Sequence, residues 1–251
     1  MKVLLKNFKR VIPAPLKRAV KEARLNRQLR RAVQRIAELP AGTIPDEQLL
    51  IDLQAGWDND GFAARTDYLK EVFQRATMVS GPILECGSGL TTILLGLAAG
   101  RRGIKTFSLE HHAEWRTRVM NVLAQFQIKN VEVCLAPLRD YEGFSWYEPP
   151  FADLPAGFEL VICDGPPGET LGGRYGLWPV FAKRLSKISV ILLDDTQRSG
   201  EAEVLRRWAA EANLTVAERQ SADSSFAIIT QNESASTRLP ADANASGGQL
   251  V

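Results

Sequence analysis

Residues 83–92 read Ile-Leu-Glu-Cys-Gly-Ser-Gly-Leu-Thr-Thr, and the rest of the chain is organised around them. Residues 82–85 have the apolar character of the end of a buried strand. Gly87-Ser88-Gly89 then supplies a tight turn, and residues 91–99 form an apolar helix closed by Gly100. A strand feeding a glycine turn that opens a helix brings backbone N–H groups close to a ligand. Two glycines alone also serve ordinary strand-to-helix connections. Two acids make this turn more specific. Glu85 precedes it, and Glu110 ends the next strand, residues 105–110, about 20 residues past the turn. An acid in that place can accept hydrogen bonds from two ribose hydroxyls, so the stretch reads as a nucleoside site.

The stretch resembles motif I of the class I S-adenosylmethionine-dependent methyltransferases, Glu/Asp-x-Gly-x-Gly-x-x-Thr. A dinucleotide fingerprint matches less well, because Thr92 stands at its third glycine and Glu85 would repel a pyrophosphate. The resemblance continues through much of residues 57–230. It implies a Rossmann-like three-layer α/β sandwich: a seven-stranded, mostly parallel sheet with its last strand antiparallel, preceded by N-terminal helices. It also implies S-adenosyl-L-methionine as cofactor. Glu85 would face its ammonium or ribose side, and Gly87, Ser88, Gly89 and Thr91 would lie along its methionine portion. Glu110 would hold the ribose, with His111 and Pro137 beside the adenine.

The charge is unevenly distributed. Of 31 Lys and Arg and 29 Asp and Glu, twelve and two fall in residues 1–40, leaving 19 and 27 for the remainder. A strongly basic arm therefore precedes an acidic body. No uncharged apolar run reaches the roughly 18 residues needed to span a bilayer, and residues 1–12 lack the form of a secretory signal. Cys86, Cys134 and Cys163 each end a different apolar strand and lack metal-type spacing, which reads as small core residues in a reducing compartment. A cytoplasmic location is expected, with membrane association through the arm as the open alternative.

Four regions are expected. Residues 1–40 are a basic amphipathic helical arm, with a long helix over 16–39. Its face suits a second subunit, making a homodimer contact, or an anionic membrane surface; nucleic acid is disfavoured, because Phe8 is the arm's only aromatic. Residues 41–80 are a helical connector, with Asp46 capping a helix over 47–55 and another helix over 66–79. Trp57, in the polar loop between them, is either a substrate contact folded over the cofactor or a hydrophobic plug. Residues 81–230 are the cofactor-binding domain. Residues 231–251 are too polar to offset their ordering entropy and are expected to be disordered.

Within the domain, His111-His112 are the only two histidines, and adjacent side chains point in different directions. Residues 141–151 carry Phe144, Trp146, Tyr147 and Phe151, which suits either a surface hairpin or a pocket lining. Residues 158–164 end in Asp164, followed by Gly165-Pro166-Pro167-Gly168, and residues 189–194 end in Asp194, followed by Asp195. Ligands in open α/β sheets bind outside the carboxyl ends of strands, which places Asp164 beside the transferred methyl group.

The acids Asp164, Asp194 and Asp195 resemble the ion-binding set of the catechol-type, metal-dependent O-methyltransferases. That resemblance implies Mg²⁺ on these three residues, lowering the pKa of an acceptor hydroxyl. Without a metal, one of the acids serves as general base. Arg174 and Arg198 follow the two strands closely enough either to grip an anionic acceptor or to neutralise the acids. The expected activity is O-methylation of a hydroxylated small-molecule, sugar or lipid-linked acceptor. The alternatives are a non-catalytic nucleoside-binding subunit and an NAD-type oxidoreductase on a similar sheet.

Overall fold

The computed structural model describes residues 14–58, 64–221 and 224–232. The first part of the basic arm, the centre of the polar loop after Trp57 and nearly all of the C-terminal tail lie outside those residues.

The strands are β1 (Ile83–Cys86), β2 (Thr106–Glu110) and β3 (Val131–Leu135), then a hairpin of β4 (Leu138–Tyr141) and β5 (Phe144–Tyr147), then β6 (Phe158–Cys163), β7 (Leu185–Leu193), β8 (Leu214–Gln220) and β9 (Ser225–Gln231). The central β1, β2 and β6 are short and buried on both faces, while β3 and β8 at the edges are more exposed. Seven of them form one sheet in the order β3-β2-β1-β6-β7-β9-β8, with the hairpin separate. The pairs from β3 through β7 are parallel, and β9 is antiparallel to both β7 and β8. This is the expected Rossmann-like sheet, and its strand order reverses beside β1. Side-chain alternation divides the core in two. Ile83, Leu160 and Ile162 pack into one helical layer, while Leu84, Val161 and Cys163 pack into the other. Both faces are covered, which is why these strands read as continuous apolar runs.

The first layer holds α1 (Ala14–Glu38), α2 (Glu47–Trp57), α3 (Thr66–Met78), α4 (Leu90–Gly100) and α5 (Ala113–Gln125). Asp46 caps α2 by accepting from the Leu49 N–H at 2.7 Å, worth about 1 kcal/mol. Asp58 ends α2 in a left-handed conformation, φ 49°, two residues later than the sequence suggests. The residues expected to form a connector share one core with α4: Tyr68, Leu69, Val72 and Phe73 pack with Leu94 and Leu95. Helix α1 buries Leu29, Ala32, Val33 and Ile36 against this layer, the i, i+3, i+4, i+7 spacing of a single face. Gly56 lets α1 and α2 approach closely, since a Cβ there would lie 2.7 Å from Leu29 Cα. Arg101 then donates to the carbonyls of Ile36, Ala37 and Leu39, satisfying the open end of α1. The first half of α1 is exposed, with Leu16 and Val20 facing solvent among its arginines.

The second layer holds α6 (Leu177–Phe181) and α7 (Ser199–Glu211). The aromatic insertion is a hairpin, but Trp146 and Tyr147 are fully buried in the core of this layer, with Cys86 and Cys163 of the central strands. Cys86 and Cys163 lie side by side in register, free and buried. Among the described residues, no helix is long and apolar enough to cross a membrane.

Candidate active site

The glycine turn is held from below by a buried acid. Glu85 is fully inaccessible and accepts from the hydroxyls of Thr91, Thr92 and Ser108 at 2.6, 2.6 and 2.5 Å. Thr92 Oγ1 in turn accepts from the Gly89 N–H at 2.8 Å. Glu85 thus ties β1, β2 and the first turn of α4 together. It does not reach the cavity described below, and neither do Gly89 and Thr91. The expectation that Glu85 faces the ammonium or ribose is corrected on this geometry: strand alternation turns its side chain toward α4 rather than the sheet's mouth.

Burial pushes the Glu85 carboxyl up to about 7, against the lowering effect of the three hydroxyls. The unfolded value is about 4.3, so between the two values the folded chain holds a proton that the unfolded chain has lost. This contribution is complete below about pH 4.3 and gone above about pH 7, on the order of 4 kcal/mol in all. Thermal unfolding followed from pH 5 to pH 8 should therefore decline less steeply in Glu85→Gln than in the wild type. Parallel curves would show that Glu85 does not titrate in this window.

Glu110 ends β2 with its carboxylate at the sheet's mouth, 3% exposed. Its Oε2 accepts from the Ser88 hydroxyl at 2.7 Å and the Ser88 N–H at 3.2 Å, and its Oε1 accepts from the His112 N–H at 2.8 Å. Burial raises its pKa, but hydrogen bonds from His111, Ser88 and His112 outweigh burial and hold the carboxyl below its ordinary value. The histidines divide as adjacent residues should. His112 caps α5 by accepting from the Trp115 N–H, while His111 lies 3.2 Å from Glu110 Oε1. Trp115 donates its indole N–H to the Ser88 carbonyl at 2.8 Å, fixing the turn from the other side.

The acids at the ends of β6 and β7 converge on one buried guanidinium. Arg174, 2% exposed, donates to the backbone carbonyls of Asp194 at 2.5 Å and Asp164 at 2.8 Å. The same group reaches Asp164 Oδ1 at 3.0 Å and Asp195 Oδ2 at 3.1 Å. Its Nε stands 3.8 Å from the buried Glu201 Oε1. Of the two roles open to Arg174, the geometry is that of a neutraliser. Arg198 is half exposed and pairs with Asp195 Oδ2 at 2.9 Å from the rim. One carboxylate oxygen from each of Asp164, Asp194 and Asp195 lies within 4.8 Å of the others, but oxygens of two of these acids already serve Arg174. An ion shared by all three acids would therefore lie against the fixed positive charge of Arg174.

One cavity of about 930 Å³ connects the two ends of this site. Gly87, Ser88, Glu110 and His111 line it at the turn, and Asp164, Arg174, Asp194, Asp195 and Arg198 line it at the acids. Besides Glu85, Gly89 and Thr91, two further expected contacts are absent from its wall. Pro137 lies beyond β3, where its carbonyl accepts from Glu148 at the base of the hairpin. Trp57 is 2% exposed and packs edge-on against Trp115 at 5.9 Å with Arg118 over its ring, the position of a plug. Residues not anticipated from sequence include Trp115, Arg65 and Ser224, while Tyr147 of the aromatic insertion takes the pocket-lining role that was one of its two readings. The Tyr147 hydroxyl is buried without a hydrogen-bond partner, an arrangement that asks for a ligand atom or water. The aromatic cluster of the insertion was its only signal in the sequence.

No family model matches the sequence, and no curated protein matches it. Solved structures do. The SAH-bound methyltransferase PaMTH1 of Podospora anserina superposes with a TM-score of 0.52 at 14% identity, over 89% of this chain and 99% of that one. The O-methyltransferase of Bacillus cereus in complex with SAH gives 0.50 at 15%, over 85% and 97%. Precorrin-6y C5,15-methyltransferase of Geobacter metallireducens GS-15 gives 0.50 at 14%, over 68% and 90%. The chain has the class I methyltransferase fold. In this methyltransferase fold the cavity opens at the carboxyl ends of β1, β2, β6 and β7, the mouth where open α/β sheets bind ligands.

Proposed function

We propose that the protein is an S-adenosylmethionine-dependent methyltransferase that methylates a hydroxyl of a small anionic acceptor. The observation that carries this reading is a single cavity that joins the Glu110 carboxylate and the Gly87–Ser88 turn to Asp164. The residues present fit the cofactor. Glu110 offers an ionised acceptor for ribose hydroxyls. Gly87, with φ 92°, keeps the floor open where a Cβ would meet Gly165 at 3.0 Å.

S-adenosylmethionine, when bound, supplies an electrophilic methyl group on a sulfonium. The chain's part is alignment and proton handling. Asp164 borders the cavity with about a quarter of its side chain open. Burial and the neighbouring Asp195 push its carboxyl up to about 6, with Arg174 opposing. Burial, Asp164 and Asp195 push Asp194 up to about 8. Asp164, the more open of the two acids and held by Arg174 through only one oxygen of its carboxylate, is the one placed to take the acceptor's proton. Arg198 and Arg65, both at the rim, suit a carboxylate or phosphate on the acceptor.

The test has two steps. Calorimetry with S-adenosylhomocysteine and with NAD should show binding of the first and not the second. A labelled methyl donor offered with hydroxylated organic acids and sugar phosphates should then give product. Binding of NAD without S-adenosylhomocysteine would replace this reading with an oxidoreductase.

A further inference from the structure

We propose that Arg174 occupies the charge-compensating place a divalent ion would take between Asp164 and Asp195, so that the acid cluster works without metal. Three features on three segments converge here. The guanidinium is anchored to main chain rather than only to acids, through the carbonyls of Asp164 and Asp194 at the ends of β6 and β7. It is buried to 2% exposure, so it has no solvent-facing alternative. It touches oxygens of both flanking acids and faces Glu201 on its remaining side.

A Mg²⁺ or Mn²⁺ ion demands oxygen ligands at about 2.0–2.1 Å in near-octahedral array. To reach Asp164 and Asp195 together, it would have to sit against a guanidinium that already holds one oxygen of each and cannot lose its proton. Arginine suits the place because its planar fork satisfies two carboxylates and two carbonyls at once, which a lysine ammonium cannot do. Arg174 thereby acts as a positioning residue. It fixes the Asp164 carboxylate toward the cavity and leaves the second Asp164 oxygen for the acceptor. The catalytic use of that oxygen rests on the methyltransfer reading; the exclusion of metal does not.

The experiment is a Mn²⁺ titration of the purified full chain, followed by electron paramagnetic resonance, since an all-oxygen site accepts Mn²⁺ readily. Wild type should show no saturable site that Asp195→Asn removes. Arg174→Ala should gain one Mn²⁺ site, at least about tenfold tighter than any binding by wild type. That site should disappear in Arg174→Ala/Asp195→Asn and be excluded again in Arg174→Lys. A saturable wild-type site lost in Asp195→Asn overturns the proposal. So does a folded Arg174→Ala protein that still binds no Mn²⁺, because the guanidinium would then not be what keeps the ion out. Should Arg174→Ala not fold, the wild-type titration with its Asp195→Asn control decides alone. None of these outcomes depends on methyl transfer.

Discussion

Glu110→Gln is expected to weaken S-adenosylhomocysteine binding by about 30- to 1,000-fold, the equivalent of roughly 2–4 kcal/mol. Donors crowd the Glu110 carboxylate: the Ser88 hydroxyl, the Ser88 N–H and the His112 N–H, with His111 Nδ1 3.2 Å from its Oε1. An amide at this position would point its own NH₂ at one of those donors and offer the ribose a single neutral acceptor. Charge-assisted hydrogen bonds are about twice as strong as neutral ones, so both losses fall on the same ligand. Calorimetry on the variant, with its melting temperature as a control for folding, gives the measurement. An affinity within a few-fold of wild type would mean that the nucleoside is held elsewhere, and the functional reading would fail with it.

Asp164→Asn should behave in the opposite way. Turnover should fall by about 10²–10⁴-fold, the contribution of a positioned general base, while S-adenosylhomocysteine affinity changes by only a few-fold. The pH dependence sharpens the test. A base with its pKa pushed up to about 6 is competent only once ionised, so wild-type turnover should climb as pH rises through about 6. The variant's residual rate should lack that limb. Some loss of thermal stability is expected as well, because Arg174 Nη2 would lose one of its two carboxylates. Unchanged turnover, or a surviving limb near pH 6, would move the base to another residue.

The fold was legible because its determinants are local in sequence. The apolar runs at residues 83–86 and 158–163, the glycine turn and the apolar α4 declare a parallel sheet with its mouth at Gly87. Glu110 was legible for the same reason, since the end of the second strand faces the turn in any such sheet. Other residues required information that spacing does not carry. Glu85 is adjacent to the turn in sequence, yet the pairing of Glu85 with Ser108 across β1 and β2 and the hydroxyls of α4 claim its side chain. Pro137 was displaced by the hairpin that begins at Leu138. Arg174 was ambiguous because the acids it serves lie 10 and 21 residues away along the chain. Tyr147 enters the cavity wall only through the β4–β5 register, which pairs it with Leu138.

The contact between the two glycine loops bears on how this protein could change its chemistry. A Cβ on Gly165 would lie 2.9 Å from Gly87 Cα and 3.2 Å from the Cys86 carbonyl, and would also collide with the Tyr147 hydroxyl. Main-chain hydrogen bonds from Asp164 and Gly165 to that same Cys86 carbonyl clamp the loops together. Where the two loops meet, the floor of the cavity is therefore set by backbone against backbone, with the Tyr147 hydroxyl also against Gly165. Diversification has most room on the upper wall, at exposed positions such as Arg65, Glu114, Gln197 and Arg198. Descendants of this chain that accept a new molecule should carry their replacements there, with both glycines retained.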